Sequence, residues 1–240
     1  MTFFEKGEVK IYFEEYGQGY PLLLIAPGGM RSCIDWWQKA AYNAIEAFKN
    51  DFWVIAMDQR NTGQSTAPIT ATDSWDDYTA DQIGLLDYLG IDKAHIMGGC
   101  IGSSYCLGIL KAIPERITAA VLQNPIGLSN GNRPVFFDMF NDWGAELKAT
   151  RPDVTDEALA GFAQNMFGGE FVFNVSRDFV KSCHTPLLIC AGNDQFHPTA
   201  TAEEIDALAP NSEYILKWRE PEVVQTTIEN VRNFLKKHTP

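Results

Sequence analysis

The stretch that decides the reading of this chain is Lys93-Ala94-His95-Ile96-Met97-Gly98-Gly99-Cys100-Ile101-Gly102, continued by Ser103 to Lys111. Lys93 to Met97 has the apolar character of a short buried strand. Gly102 to Lys111 reads as a helix, with Cys106, Leu107 and Leu110 on one face. Between them, Gly98-Gly99-Cys100-Ile101-Gly102 is a tight turn with a thiol at its centre. Strand, turn and helix are the context that a G-x-nucleophile-x-G motif requires. Small neighbours let the strand and helix pass closely. The helix dipole and free N–H groups at such a place lower a thiol pKa. Taken alone, the pentapeptide also fits a buried structural cysteine in a glycine-rich turn.

Two further stretches narrow the choice. Tyr20 to Ala26 is a continuous apolar run, as expected of a strand buried on both faces of a parallel sheet, and it ends in Pro27-Gly28-Gly29-Met30. Phe52 to Met57 is a second such run, ending in Asp58-Gln59-Arg60-Asn61-Thr62-Gly63-Gln64-Ser65. An apolar strand with a Gly-Gly loop, a strand with D-x-R-x-x-G-x-S, and then the cysteine turn resemble the α/β-hydrolase superfamily, in its order and at about its spacing. The resemblance covers nearly the whole chain. It implies an α/β fold: a mostly parallel sheet with helices on both faces and a small helical lid. It also makes the cysteine turn a nucleophile elbow, with cysteine where serine usually sits.

The remaining segments fit that plan. Glu8 to Tyr16 alternates and reads as an early antiparallel strand closing at Gly17-Gln18-Gly19. Trp36 to Phe48 and Tyr78 to Leu89 read as amphipathic helices. Ile117 to Leu122, Pro186 to Ala191 and Glu213 to Trp218 read as strands, and Glu222 to Lys237 as the last helix. Strands alternating with helices imply a parallel sheet with right-handed crossovers. The core is therefore expected over residues 1–124 and 184–240. Residues 125–183 exceed what the sheet needs; Asn130 to Pro134 opens this aromatic-rich stretch, which the resemblance makes a lid. Phe136, Phe140 and Trp143, with Met30 and Arg31 after the Gly-Gly loop, are the expected pocket walls. Such aromatics also serve to glue a lid to its body.

Composition sets outer bounds. At 240 residues the chain is long enough for one domain with a large core. A formal net charge of -12 argues against nucleic acid and anionic membrane surfaces as partners. No apolar run approaches the ~20 residues of a membrane span, and the first residues carry no basic-then-apolar signal pattern. Five cysteines without metal-ligand spacing point to free thiols in a reducing compartment, so a cytoplasmic location is expected. No metal or redox-cofactor fingerprint is found, and no cofactor is expected. The expected partner is a small-molecule substrate with an apolar portion. The oligomeric state stays open, a homodimer among the options.

The resemblance also points to the catalytic acid, while the base departs from the family's pattern. The strand at Pro186 runs into Gly192-Asn193-Asp194-Gln195-Phe196-His197-Pro198, where Asp194 matches the acid of the family's triad. The family's Gly-His loop after the last strand is missing here: Tyr214 to Arg219 leads directly into Glu220-Pro221-Glu222. Of the four histidines, His95 sits inside a strand, His184 precedes one and His238 is in the tail. Only His197 lies past the carboxyl end of a strand, where ligands of open α/β sheets bind. Cys100, Asp194 and His197 are thus the expected catalytic set. The oxyanion hole is expected from the N–H of Ile101 and from Gly28 or Gly29. Arg31 and Ser32 are candidates for polar contacts to substrate, a surface salt bridge accounting equally well for Arg31, while Gln59, Arg60 and Asn61 are expected to stabilise the neighbouring loop rather than do chemistry.

Three function classes follow. The first is a hydrolase using a cysteine nucleophile on a carboxylic ester, lactone or thioester through an acyl-cysteine. The second is an acyltransferase, cyclase or lyase on the same scaffold. The third is a non-catalytic ligand-binding protein with a degraded triad. A thiol needs less help from a base than a hydroxyl does, because its pKa of about 8.5 can fall by units beside an imidazolium or a helix N-terminus.

Overall fold

Apolar runs become strands in this chain, and the patterned stretches between them become helices. The computed structural model describes residues 2–129 and 131–240. Met1 and Asn130, the latter opening the expected insertion, lie outside the described residues. In chain order the elements are β1 (Thr2–Lys6), β2 (Val9–Tyr16), β3 (Pro21–Ile25), α1 (Ala44–Phe48), β4 (Trp53–Met57), α2 (Trp75–Tyr88), β5 (Ala94–Gly99) and α3 (Ile101–Ala112). They continue with β6 (Ile117–Gln123), α4 (Arg133–Thr150), α5 (Asp156–Phe167), α6 (Arg177–Ser182), β7 (Leu187–Cys190), α7 (Thr199–Leu208), β8 (Ser212–Ile215) and α8 (Val224–Lys237).

The strands form one sheet in the order β1-β2-β4-β3-β5-β6-β7-β8. The pairs β1·β2 and β2·β4 are antiparallel, and every pair from β4 to β8 is parallel. The carboxyl ends of β3, β5, β6 and β7 therefore share one edge, where open α/β sheets bind ligands. All six residues of β5 are buried, because helices cover both faces of the sheet. Alternation along the strand divides them: Ile96 belongs to the core that includes residues of α2, α3 and the helices after β6, while Met97 belongs to the core that includes residues of α1 and α8.

The passage from β5 to α3 is tight enough to demand glycine. A Cβ on Gly102 would lie 2.3 Å from the Ile25 carbonyl oxygen, which is backbone of β3 and cannot yield. Gly102→Ala is expected to cost about 3 kcal/mol or more in stability, read as a lowered urea midpoint, because the clash can be relieved only by moving the sheet. A midpoint within error of the parent would contradict this packing.

The structure departs from the sequence reading in four places, one of them α2, which starts at Trp75 and not at Tyr78 because Ser74 caps it there. Trp36 to Phe48 is not one helix. A 3-10 turn covers Ile34–Gln38, and α1 starts only at Ala44. Asn43 is the reason: its side chain caps α1 by accepting from the N–H groups of Ile45 and Glu46, and this replaces helix continuation. The last strand stops at Ile215, three residues short of the expected Trp218. An eighth strand, β1, precedes the expected first one and pairs with it through the turn at Gly7.

Between β6 and β7 lie α4, α5 and α6, in the stretch expected to be an insertion. Their aromatic rings interlock. Phe140 meets Trp143 at 5.3 Å and Phe162 at 5.2 Å, and Phe136 meets Phe173 at 4.7 Å, between ring centroids. Edge-to-face pairs at such spacings are favourable beyond their area alone. Among the described residues, no helix is long and apolar enough to cross a membrane.

Candidate active site

Cys100 stands between β5 and α3 with φ 57° and ψ -122°. A non-glycine residue is held in such a conformation only when its surroundings over-determine it, at a cost of order 1–3 kcal/mol. The surroundings here are specific. The Cys100 N–H donates to the Gln123 carbonyl at 2.9 Å. The Ser103 hydroxyl reaches the carbonyl oxygens of Gly98 and Gln123, at 3.0 and 2.9 Å. Ser103 is thus a brace for the turn that no sequence signal announces.

The strained turn lifts the side chain into a cavity of about 670 Å³, and Cys100 is half-buried on its wall. Its thiol differs from the other four. Burial raises the pKa of Cys33, Cys106, Cys183 and Cys190. Burial pushes Cys100 upward too, but the His197 charge, a hydrogen bond from the same ring, and the N–H groups of Ile101 and Gly28 together bring it below the ordinary thiol value. The two backbone N–H groups are those expected for an oxyanion hole. Gly29, the alternative to Gly28, also lines the cavity.

His197 comes from the loop after β7, which folds back on itself. The N–H of His197 donates to the Asp194 carbonyl at 3.2 Å and to the Asp194 carboxylate at 3.1 Å. The Nδ1 of the ring lies 2.8 and 2.9 Å from the two carboxylate oxygens. Gly192 makes this fold possible, since a Cβ there would lie 2.3 Å from the His197 Cβ. With Nδ1 held by the carboxylate, the buried Nε2 is the ring nitrogen left for the Cys100 thiol. Burial alone would lower the imidazole pKa. Attraction to the Cys100 thiolate and hydrogen bonds to Asp194 and Cys100 outweigh it and raise His197 to about 9. The hydrogen bond from His197 lowers Asp194 to about 2. The three groups favour a thiolate, an imidazolium and a carboxylate in a row, with Cys100 and His197 titrating as a pair.

The other histidines lie elsewhere. His95 is fully buried, bonded to Thr118 and Thr239, and burial with the nearby His238 charge lowers it to about 4. His184 is exposed ahead of β7, at the far end of that strand from His197. The bend after β8, in place of a histidine, brings in Trp218. Its indole N–H donates to the Ala191 carbonyl at 2.6 Å, so the ring is buried against the start of the His197 loop and forms part of the cavity wall.

Of the expected pocket residues, Arg31 and Phe136 line the cavity and Met30, Phe140 and Trp143 do not. The last three are buried in the core beneath it, at 2%, 1% and 3% exposure. Helical periodicity marks a buried face without telling a cavity wall from packing. Ser32 is also turned away, its buried hydroxyl donating to the Ala26 carbonyl at 2.6 Å. Trp36, Met139 and Phe196 supply walls that sequence reasoning misses. Asp58 accepts the N–H groups of Ile34 and Gln64, and buried Arg60 pairs with Asp81, so the D-x-R-x-x-G-x-S segment braces the loops beside it.

Comparison with known proteins identifies the fold and the family. The alpha/beta hydrolase fold family matches residues 21–175. The carboxylesterase YbfK of Bacillus subtilis is 29% identical, over 87% of this chain and 79% of its own. A 2-hydroxy-6-oxononadienedioate/2-hydroxy-6-oxononatrienedioate hydrolase of Paraburkholderia phymatum is 30% identical over 63% of this chain. The chain spans about half the length of that relative and of several other curated proteins it matches. Among solved structures, a meta-cleavage product hydrolase from Pseudomonas fluorescens superposes with a TM-score of 0.72 at 22% identity, over 96% of both chains. The enol-lactonase of Burkholderia xenovorans does so with a TM-score of 0.70 at 17% identity, over 98% of this chain and 100% of its own. These two likenesses show the fold, and the match over residues 21–175 shows the family: the chain belongs to the alpha/beta hydrolase fold family.

Proposed function

We propose that this chain is a hydrolase that opens a carboxylic ester, lactone or thioester through an acyl-cysteine on Cys100. One observation carries the reading: thiol, imidazole and two N–H donors converge on one wall of a single cavity. In the proposed reaction the Cys100 thiolate attacks the carbonyl carbon, and the carbonyl electron pair moves onto oxygen. The N–H groups of Gly28 and Ile101 receive that oxyanion, a stabilisation of the kind usually largest in acyl transfer. The His197 imidazolium gives its proton to the departing alkoxide or thiolate as the carbonyl re-forms. Water then attacks the acyl-cysteine while His197 takes its proton, and the thiolate leaves. Asp194 holds the ring with Nε2 toward the sulfur throughout, the role that the carboxylate of a triad performs.

Trp36, Phe136, Met139 and Phe196 favour an apolar portion in the substrate, and α4 with its partner helices serves as the lid over it. The test is intact mass after incubation with p-nitrophenyl acetate and with an acyl thioester. One acyl group on the parent chain and none on Cys100→Ala is the expected result. An adduct that persists in Cys100→Ala would overturn the assignment.

A further inference from the structure

The cavity wall has a charge pattern opposite to that of the chain. Acidic residues outnumber basic ones, 31 to 19. Yet the cavity wall carries Arg31, Lys39 and Arg219 besides the mutually paired Cys100 and His197, with no aspartate or glutamate among its lining residues. Arg31 is neutralised by Glu146, whose carboxylate lies 2.8 Å away. Lys39 and Arg219 form no ion pair among the described residues.

Both are held in place by neutral partners. The Lys39 ammonium lies over the Trp36 ring, 4.5 Å from its centroid, and that ring is itself cavity wall. The Arg219 guanidinium donates to the Asn193 side-chain carbonyl, while the nearby Glu220 carboxylate accepts from the Arg219 backbone N–H instead. The buried neighbour Trp218, tied to Ala191, fixes where Arg219 emerges. Two separate loops thus bring a cation without a counter-charge to the rim of an apolar hollow.

We infer that the substrate carries a carboxylate, bound between Lys39 and Arg219, on the acyl or alcohol portion of the bond that Cys100 attacks. This rests on the hydrolase reading for the bond, but the binding itself does not need the thiol. Low-dielectric walls focus the field of rim cations, and salt screens it. The apolar wall takes the carbon skeleton, and the cations select the half-ester over its neutral counterpart.

The test uses Cys100→Ala, which retains the cavity and cannot form an acyl-enzyme. Monobutyl succinate and butyl methyl succinate are compared by titration calorimetry. The monoanion is expected to bind about tenfold more tightly at low ionic strength, with the preference shrinking as salt is added. Adding Lys39→Gln and Arg219→Gln together is expected to abolish the preference; both side chains reach solvent, and an unchanged Tm verifies the fold. Equal affinities, no binding of either compound, or a preference that survives in the double variant would each overturn the inference. Failure of the acyl-adduct experiment would instead remove the nucleophile and leave this binding result standing.

Discussion

Turnover of an activated ester is expected to fall at least about a thousandfold when Cys100 is replaced by alanine, with the fold retained. The substitution removes a single sulfur atom from a residue that is already half-buried in a strained turn. That turn is held by backbone groups and by Ser103, none of which the substitution touches. The loss should therefore appear in kcat, because binding depends on walls that remain. What activity survives measures the contribution of the Gly28 and Ile101 N–H groups and of binding alone. Full retention of turnover would place the reaction elsewhere.

The second large effect is expected at His197. Replacement by alanine removes both the charge that lowers the Cys100 thiol and the proton donor for the leaving group. General acid–base groups contribute about 100- to 10,000-fold, and a fall of that order is expected for His197→Ala. Burial, the largest influence on Cys100, would then act with less opposition, so the thiol pKa should rise. The parent enzyme should lose rate above pH about 9, where the His197 imidazolium gives up its proton. It should also lose rate at acid pH, where the lowered Cys100 thiolate is protonated. Rates measured across pH test both limbs. An unchanged rate in His197→Ala would leave Nε2 without a chemical role.

Much of this site is legible in the sequence because its parts are local. Gly98 to Gly102 sits between an apolar run and a helical one, and that context alone puts Cys100 at the end of a buried strand. The Gly28 loop and the Asp58–Ser65 segment are equally local. Asp194 and His197 are three residues apart, so their pairing is a property of one turn. What the sequence hides is long-range. Trp218 is drawn into the wall by a hydrogen bond to Ala191, in another strand's exit loop. Phe136 and Phe140 occupy one helix only four residues apart, yet Phe136 lines the cavity and Phe140 packs against Phe162. Their difference depends on what α5 presents, and no periodicity within α4 contains that information. Asn43 was legible in principle, as a capping residue type, but its signal competes with the apolar pattern from Trp36 to Phe48.

The most direct test of the cysteine–histidine pair is the rate of Cys100 alkylation by iodoacetamide as a function of pH, with Cys100→Ala supplying the background from the four other thiols. A thiolate held by an imidazolium predicts rapid modification persisting well below the ordinary thiol pKa of about 8.5, and its loss in His197→Ala. A single inflection at or above that ordinary value in the parent chain would contradict it.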